Sequence, residues 1–98
     1  MNKIKYIENY DFNQLKNYIN KDYNYIILVK SINNDYNTRL FIDNDTKECQ
    51  INTYLKISSF FKYEENTIKN ILENINNTNK LEKVLKKYNI KLYNKYNN

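Results

Sequence analysis

Glycine, proline, histidine and tryptophan are all missing from these 98 residues, and so is alanine. Each absence removes a class of function. Without histidine the chain lacks the side chain that most often titrates near neutrality, so serine-type triads, two-histidine metal clusters and histidine-dependent nickases are excluded. Without glycine it cannot build a phosphate-cradling loop, because the P-loop and dinucleotide-binding fingerprints need a backbone with no Cβ. The single cysteine, Cys49, excludes an internal disulfide framework and a cysteine-based zinc site, and fits a cytoplasmic protein. Arg39 is the one arginine, too few to hold a phosphate for a tyrosine nucleophile. Long apolar runs are missing too. The longest, Tyr25 to Val29, falls far short of the roughly 20 residues that cross a bilayer. No apolar stretch follows the basic start Met-Asn-Lys-Ile-Lys, so neither a secretion signal nor a membrane partner is expected.

Asn, Lys, Ile and Tyr dominate instead. Their codons are rich in A and T, whereas Gly, Pro and Ala codons begin with two G or C bases. The alphabet is therefore that of an extremely A+T-rich genome, such as a low-GC bacterium, its phages and mobile elements, or certain viruses and parasites. The same bias supplies an alternative explanation for every surplus Lys, Asn or Tyr.

The length is that of one α+β domain, residues 1–98, with residues 94–98 read as a frayed tail. Apolar residues make up 41%, nearly all of them core-forming Ile, Leu, Val, Phe and Tyr. Residues 3–7 alternate as a short strand. Asp11 stands before Phe12, Leu15 and Ile19, the pattern of an N-capped amphipathic helix over 11–20. Residues 23–32 are apolar almost without interruption in their centre, as in a strand covered on both faces. Asn33, Asn34 and Asp35 supply a turn, and a second strand runs over 36–42. After a turn at Asp43–Thr46, residues Cys49, Ile51, Thr53, Leu55 and Ile57 alternate with polar ones, predicting a third strand.

Helical spacing then links Phe61, Ile68, Ile71, Leu72 and Ile75, placing a helix from between 60 and 66 to about 76. Asn79 and Glu82 have the form of a capping box before a stripe of Leu81, Val84, Leu85 and Tyr88. Asn89 can close that last helix, and Ile90–Tyr93 can add a terminal strand. The resulting order is β-α-β-β-β-α-α: a three-stranded antiparallel meander, open to extension by N- and C-terminal strands, packed against about three helices.

Chemistry is scarce in this frame. Cys49 lies on the apolar side of its strand and reads as a core residue. Asp43, Asp45 and Glu48 look faintly like a calcium loop but lack its glycine and distant glutamate, so a turn accounts for them. Asp35 with Asp45 and Lys47 imitates the acid and acid-x-Lys elements of a metal-dependent nuclease, with the second element in a turn rather than a strand. No cofactor is implied, and the chain is not expected to be an enzyme.

Two features stand above background. The net charge of +5 is concentrated at the end, where Lys80, Lys83, Lys86, Lys87, Lys91 and Lys95 meet only Glu82. Tyr93 and Tyr96 interleave with the last of these lysines. A helical wheel puts Lys80, Lys83 and Lys87 opposite the apolar stripe, so residues 79–98 could bind an anionic partner such as nucleic acid, or could be an ordinary solvated face. The two helices between 64 and 88 resemble a helix-turn-helix only loosely, since the joint lacks the usual glycine. Eleven tyrosines exceed what so small a core can bury, so some must lie on the surface, where Tyr with Asn and Ser makes good contacts.

The expectation is a non-enzymatic binding protein, an accessory factor of a phage, virus or mobile element that inhibits a host protein or nucleoprotein complex, as anti-defence and anti-CRISPR inhibitors do. The alternatives are a nucleic-acid-binding module and, behind it, the nuclease. A homodimer built on exposed tyrosines is equally compatible.

Overall fold

The computed structural model describes residues 3–8, 11–32, 36–53, 58–75 and 77–93. The elements run β1 (Ile4–Ile7), α1 (Phe12–Ile19), β2 (Tyr25–Ile32), β3 (Tyr36–Asp43), β4 (Glu48–Thr53), β5 (Ser58–Lys62), α2 (Glu65–Asn74) and α3 (Thr78–Lys87). The five strands form one sheet in sequence order, antiparallel throughout except for the parallel pair β1–β2, which α1 connects. This is an α+β domain in two layers, and the expected meander lies at the centre of a longer sheet.

Local chemistry explains why the helices sit where they do. Asp11 caps α1 by accepting from the Asn13 N–H at 2.8 Å, and Leu15 and Ile19 turn inward from there. The Lys16–Glu65 ion pair, 3.1 Å long, links α1 to α2 at the surface. Asn70 of α2 donates to the Tyr88 hydroxyl at 2.7 Å, just past the end of α3.

α3 begins earlier than the capping-box reading places it. Asn77 rather than Asn79 is the cap, accepting from the Lys80 N–H at 3.2 Å, while Leu81 N–H reaches the Asn77 carbonyl at 2.9 Å. The extra residues complete the first turn beneath Leu81, which is fully buried.

In the absence of glycine, two of the described residues take the left-handed backbone conformation. Asn89 closes α3 at φ 58°, with Ile90 N–H bonded to Leu85 O at 2.9 Å and Asn89 N–H to Lys86 O at 3.0 Å. Lys47 closes the β3–β4 turn at φ 63°, a conformation unfavourable for a long side chain. Local bonds hold it there: its N–H reaches Asp43 O at 2.7 Å and its ammonium reaches Asn44 O at 2.7 Å.

β5 departs from the expected single strand over 49–57. β4 ends at Thr53, and Ser58–Lys62 forms a separate strand antiparallel to it. Cys49, Ile51 and Thr53 face inward, while Leu55 and Ile57 lie outside the described residues. Phe61 misleads because it stands seven residues before Ile68, a helical interval, yet it also alternates with Ser59 as in a strand. The terminal strand is reduced to one antiparallel bridge, Tyr93 to Ser58, with N–H···O distances of 2.9 and 2.8 Å. The turn at residues 33–35 and the tail 94–98 are outside the described residues.

All three helices lie on one side of the sheet. There Ile7, Ile26, Leu28, Leu40, Ile42, Ile51 and Phe61 meet Leu15, Ile19, Ile68, Ile71, Leu72, Leu81 and Leu85. Each buried leucine or isoleucine contributes roughly 1.5–3 kcal/mol by leaving water, so this core is the main source of stability. Among the described residues no helix is long and apolar enough to cross a membrane.

Candidate functional site

β2 is where expectation and structure differ most usefully. Its sequence reads as a strand covered on both faces, but among its side chains that are described only Ile26 and Leu28 enter the core. Strand alternation sends Tyr25, Ile27 and Val29 to the opposite side, where none of the described helices lies; Tyr25 is exposed and the other two are half-buried. Register then fixes what stands beside them. Tyr6 pairs with Ile27, Ile27 with Phe41, Phe41 with Gln50 and Gln50 with Phe60. One row thus crosses all five strands, apolar or aromatic at every position but Gln50.

The flanking rows have different chemistry. On one side come Ile4, Tyr25 and Asp43 in register, then Glu48 paired with Lys62. Glu48 and Lys62 form a 2.9 Å ion pair. On the other side lie Val29, Arg39, Asn52, Ser58 and the bridged Tyr93. Tyr93 meets Phe60 edge to face, with ring centroids 6.0 Å apart. Among the described residues the exposed large hydrophobics are Tyr6 (62%), Phe60 (56%), Tyr93 (44%), Ile4 (43%) and Tyr25 (39%), and every one of these belongs to this face. A shallow hollow of about 270 Å³ opens among Tyr25, Phe41, Asp43, Glu48, Gln50 and Phe60, so the surface is not flat.

The basic segment lies elsewhere. Lys80, Lys83, Lys86 and Lys87 are exposed on α3, and Lys91 is exposed beyond it. Among the described residues no carboxylate pairs with any of them. The Lys87 ammonium stands 5.7 Å from the Tyr88 ring centre, and Lys91 stands 5.2 Å from that of Tyr93. Tyr93 itself belongs to the sheet face, so the structure divides the sequence-predicted set between two surfaces. Lys95 and Tyr96 are outside the described residues.

The described residues of the faint catalytic patterns make structural contacts. Cys49 is buried, and that burial, with Glu48 adjacent, pushes its thiol up to about 12, which suits a core residue rather than a nucleophile. Asp43 accepts from the Asp45 and Thr46 N–H groups at 3.0 and 3.2 Å, holding the turn. Lys47 directs its ammonium to Asn44 and the Ile19 carbonyl. Asp45 accepts from Asn24 at 3.3 Å, and Asp35 is outside the described residues. Among the described residues no three Cys, Asp or Glu side chains gather as metal ligands. A second hollow of about 550 Å³ between α1 and α2 is lined by Asp11, Lys16, Lys69 and Glu73, charges of both signs that favour no one ligand.

Compared with known protein families, with curated proteins and with solved structures, the chain matches none.

Proposed function

We propose that this protein is a non-enzymatic binding module that works by covering another protein's surface with the open face of its sheet. One observation carries the reading: among the described residues the exposed large hydrophobics gather on that single face rather than scattering. Isolated exposed apolar residues are ordinary, whereas a contiguous patch rimmed by polar groups is the signature of a docking surface. Tyr, Phe and Arg with Asn, Gln and Ser are also the residue types that interfaces favour.

The A+T-rich residue alphabet supports a narrower role. It fits an accessory factor of a phage, virus or mobile element that inhibits or modulates a host protein or nucleoprotein complex in the host cytoplasm, as an anti-defence inhibitor does. The tagged chain, expressed in a candidate host, should retain a specific partner and alter a defence phenotype. Tyr6→Asp and Phe60→Asp should lose both effects while keeping the fold. The absence of both capture and any change in phenotype would sink the accessory-factor role.

A second reading has its own observation in its favour. The exposed lysines of α3, which meet no carboxylate among the described residues, suit the phosphates of nucleic acid. Fluorescence anisotropy of labelled DNA and RNA over a salt series tests it. Three phosphate contacts give a log-log slope near about −3, and absence of binding at low salt makes the stripe a solvated face.

A further inference from the structure

Resting on the reading of the open face as a docking surface, we infer that its occupant is a second copy of this chain, in a face-to-face dimer whose two-fold axis passes across the strands at Phe41. The arrangement along β3 points to it. Arg39 and Asp43 flank Phe41 on the same side of the strand, each about 7 Å away at the usual rise per residue. An axis through Phe41, lying across the strands, reverses β3 in the second copy. Arg39 then faces the partner's Asp43, and Asp43 faces the partner's Arg39. The row Tyr6, Ile27, Phe41, Gln50, Phe60 lies along the axis and meets its own image, as an isologous interface requires. Gln50 suits that position because an amide both donates and accepts.

Both charged groups are available. Asp43 uses Oδ1 for the turn, and among the described residues nothing takes Oδ2. Arg39 is exposed and forms no ion pair or hydrogen bond among them. Within one copy the two lie about 14 Å apart along the strand, too far to pair.

Composition agrees. Of sixteen basic residues, the described strands place only Arg39 and Lys62 on the open side by register, and Glu48 already holds Lys62. Interfaces enrich arginine and deplete lysine, and here the chain's only arginine is central.

The size suffices for a specific but modest dimer. Five strands about 4.8 Å apart and about 20 Å long present on the order of 500 Å² per copy. Two copies bury roughly 1,000 Å², where specific interfaces begin. The dimer also covers Ile27 and Val29, giving β2 the two covered faces its sequence calls for. The helices, with the lysines of α3, stay on the outside. A host surface that uses the face does so in competition with the second copy.

Sedimentation equilibrium of the whole chain tests this. Between about 5 and 500 µM the mass should rise from 12.1 kDa toward about 24 kDa. Arg39→Glu alone and Asp43→Lys alone should each weaken self-association about tenfold or more. Mixed together they should associate again, because each repels its own kind and complements the other. Phe41→Lys and Phe41→Glu should behave the same way without touching the turn that Asp43 holds, and thermal melts verify that every variant is folded. A wild type that stays at 12.1 kDa overturns the dimer, as does a mixture no better than its components. A monomer that still captures a host partner through Tyr6 and Phe60 overturns the second copy but leaves the docking surface standing. A dimer indifferent to Phe41→Lys places the interface elsewhere and overturns the inference.

Discussion

Raising the pH from 8 to 11 should destabilise this protein in a way that one buried atom controls. The Cys49 thiol ordinarily ionises near 9, and burial lifts it to about 12 in the folded chain. Below pH 9 both states keep the proton, so Cys49 adds no pH dependence. Above 9 the unfolded state releases the proton while the folded state cannot, so folding stability falls as pH rises. The loss is about 1.4 kcal/mol per unit and reaches on the order of 4 kcal/mol by pH 12. Urea unfolding at half-unit steps measures it, with Cys49→Ala as the comparison. That variant should lose about 1–2 kcal/mol at pH 7 by vacating a small core volume. Between pH 9 and 10, however, its stability should fall less steeply than wild type by about 1 kcal/mol, because the unfolded thiol is only half ionised at pH 9. Burial, and then Glu65, also raise the Tyr63 hydroxyl from its ordinary value of 10, so its own loss of stability begins only as pH rises through 10, above this window. Parallel pH profiles for the two proteins would refute the reasoning.

Asn89→Gly should raise stability by about 0.5–1 kcal/mol, read as a higher thermal midpoint, because glycine adopts the left-handed conformation of Asn89 without a Cβ penalty. Replacing Lys80, Lys83 and Lys87 together by Glu should abolish any salt-sensitive nucleic-acid binding while leaving self-association through the sheet intact, since the stripe and the open face lie on opposite sides of the domain.

The sequence made the centre of the fold legible because β4 alternates cleanly and Asp11 marks the start of α1. The α3 stripe was readable too, since Leu81 and Leu85 fall at helical spacing opposite the lysines. Three things were hidden. Phe61 satisfied both a strand and a helix period, which concealed β5. The placement of β1 beside β2, in parallel, depends on pairing across twenty-one residues rather than on any local signal. The open face was hidden because alternation says which residues share a side but not which side the helices cover. Its one trace was the apolar content of β2 on both sides, which exceeds what a two-layer domain can bury.

Two adjacent phenylalanines on β5 have opposite surroundings, Phe61 in the core and Phe60 in the open. The strand therefore offers an aromatic ring to the core in either of two registers, so these rings alone do not prevent a slip by one residue. What prevents it stands at the ends of the strand. A slip would turn Lys62 inward, break its bond to Glu48, and part Ser58 from Tyr93. The C-terminal bridge thus acts as a register pin: it decides which phenylalanine the core receives and which one remains to meet a partner.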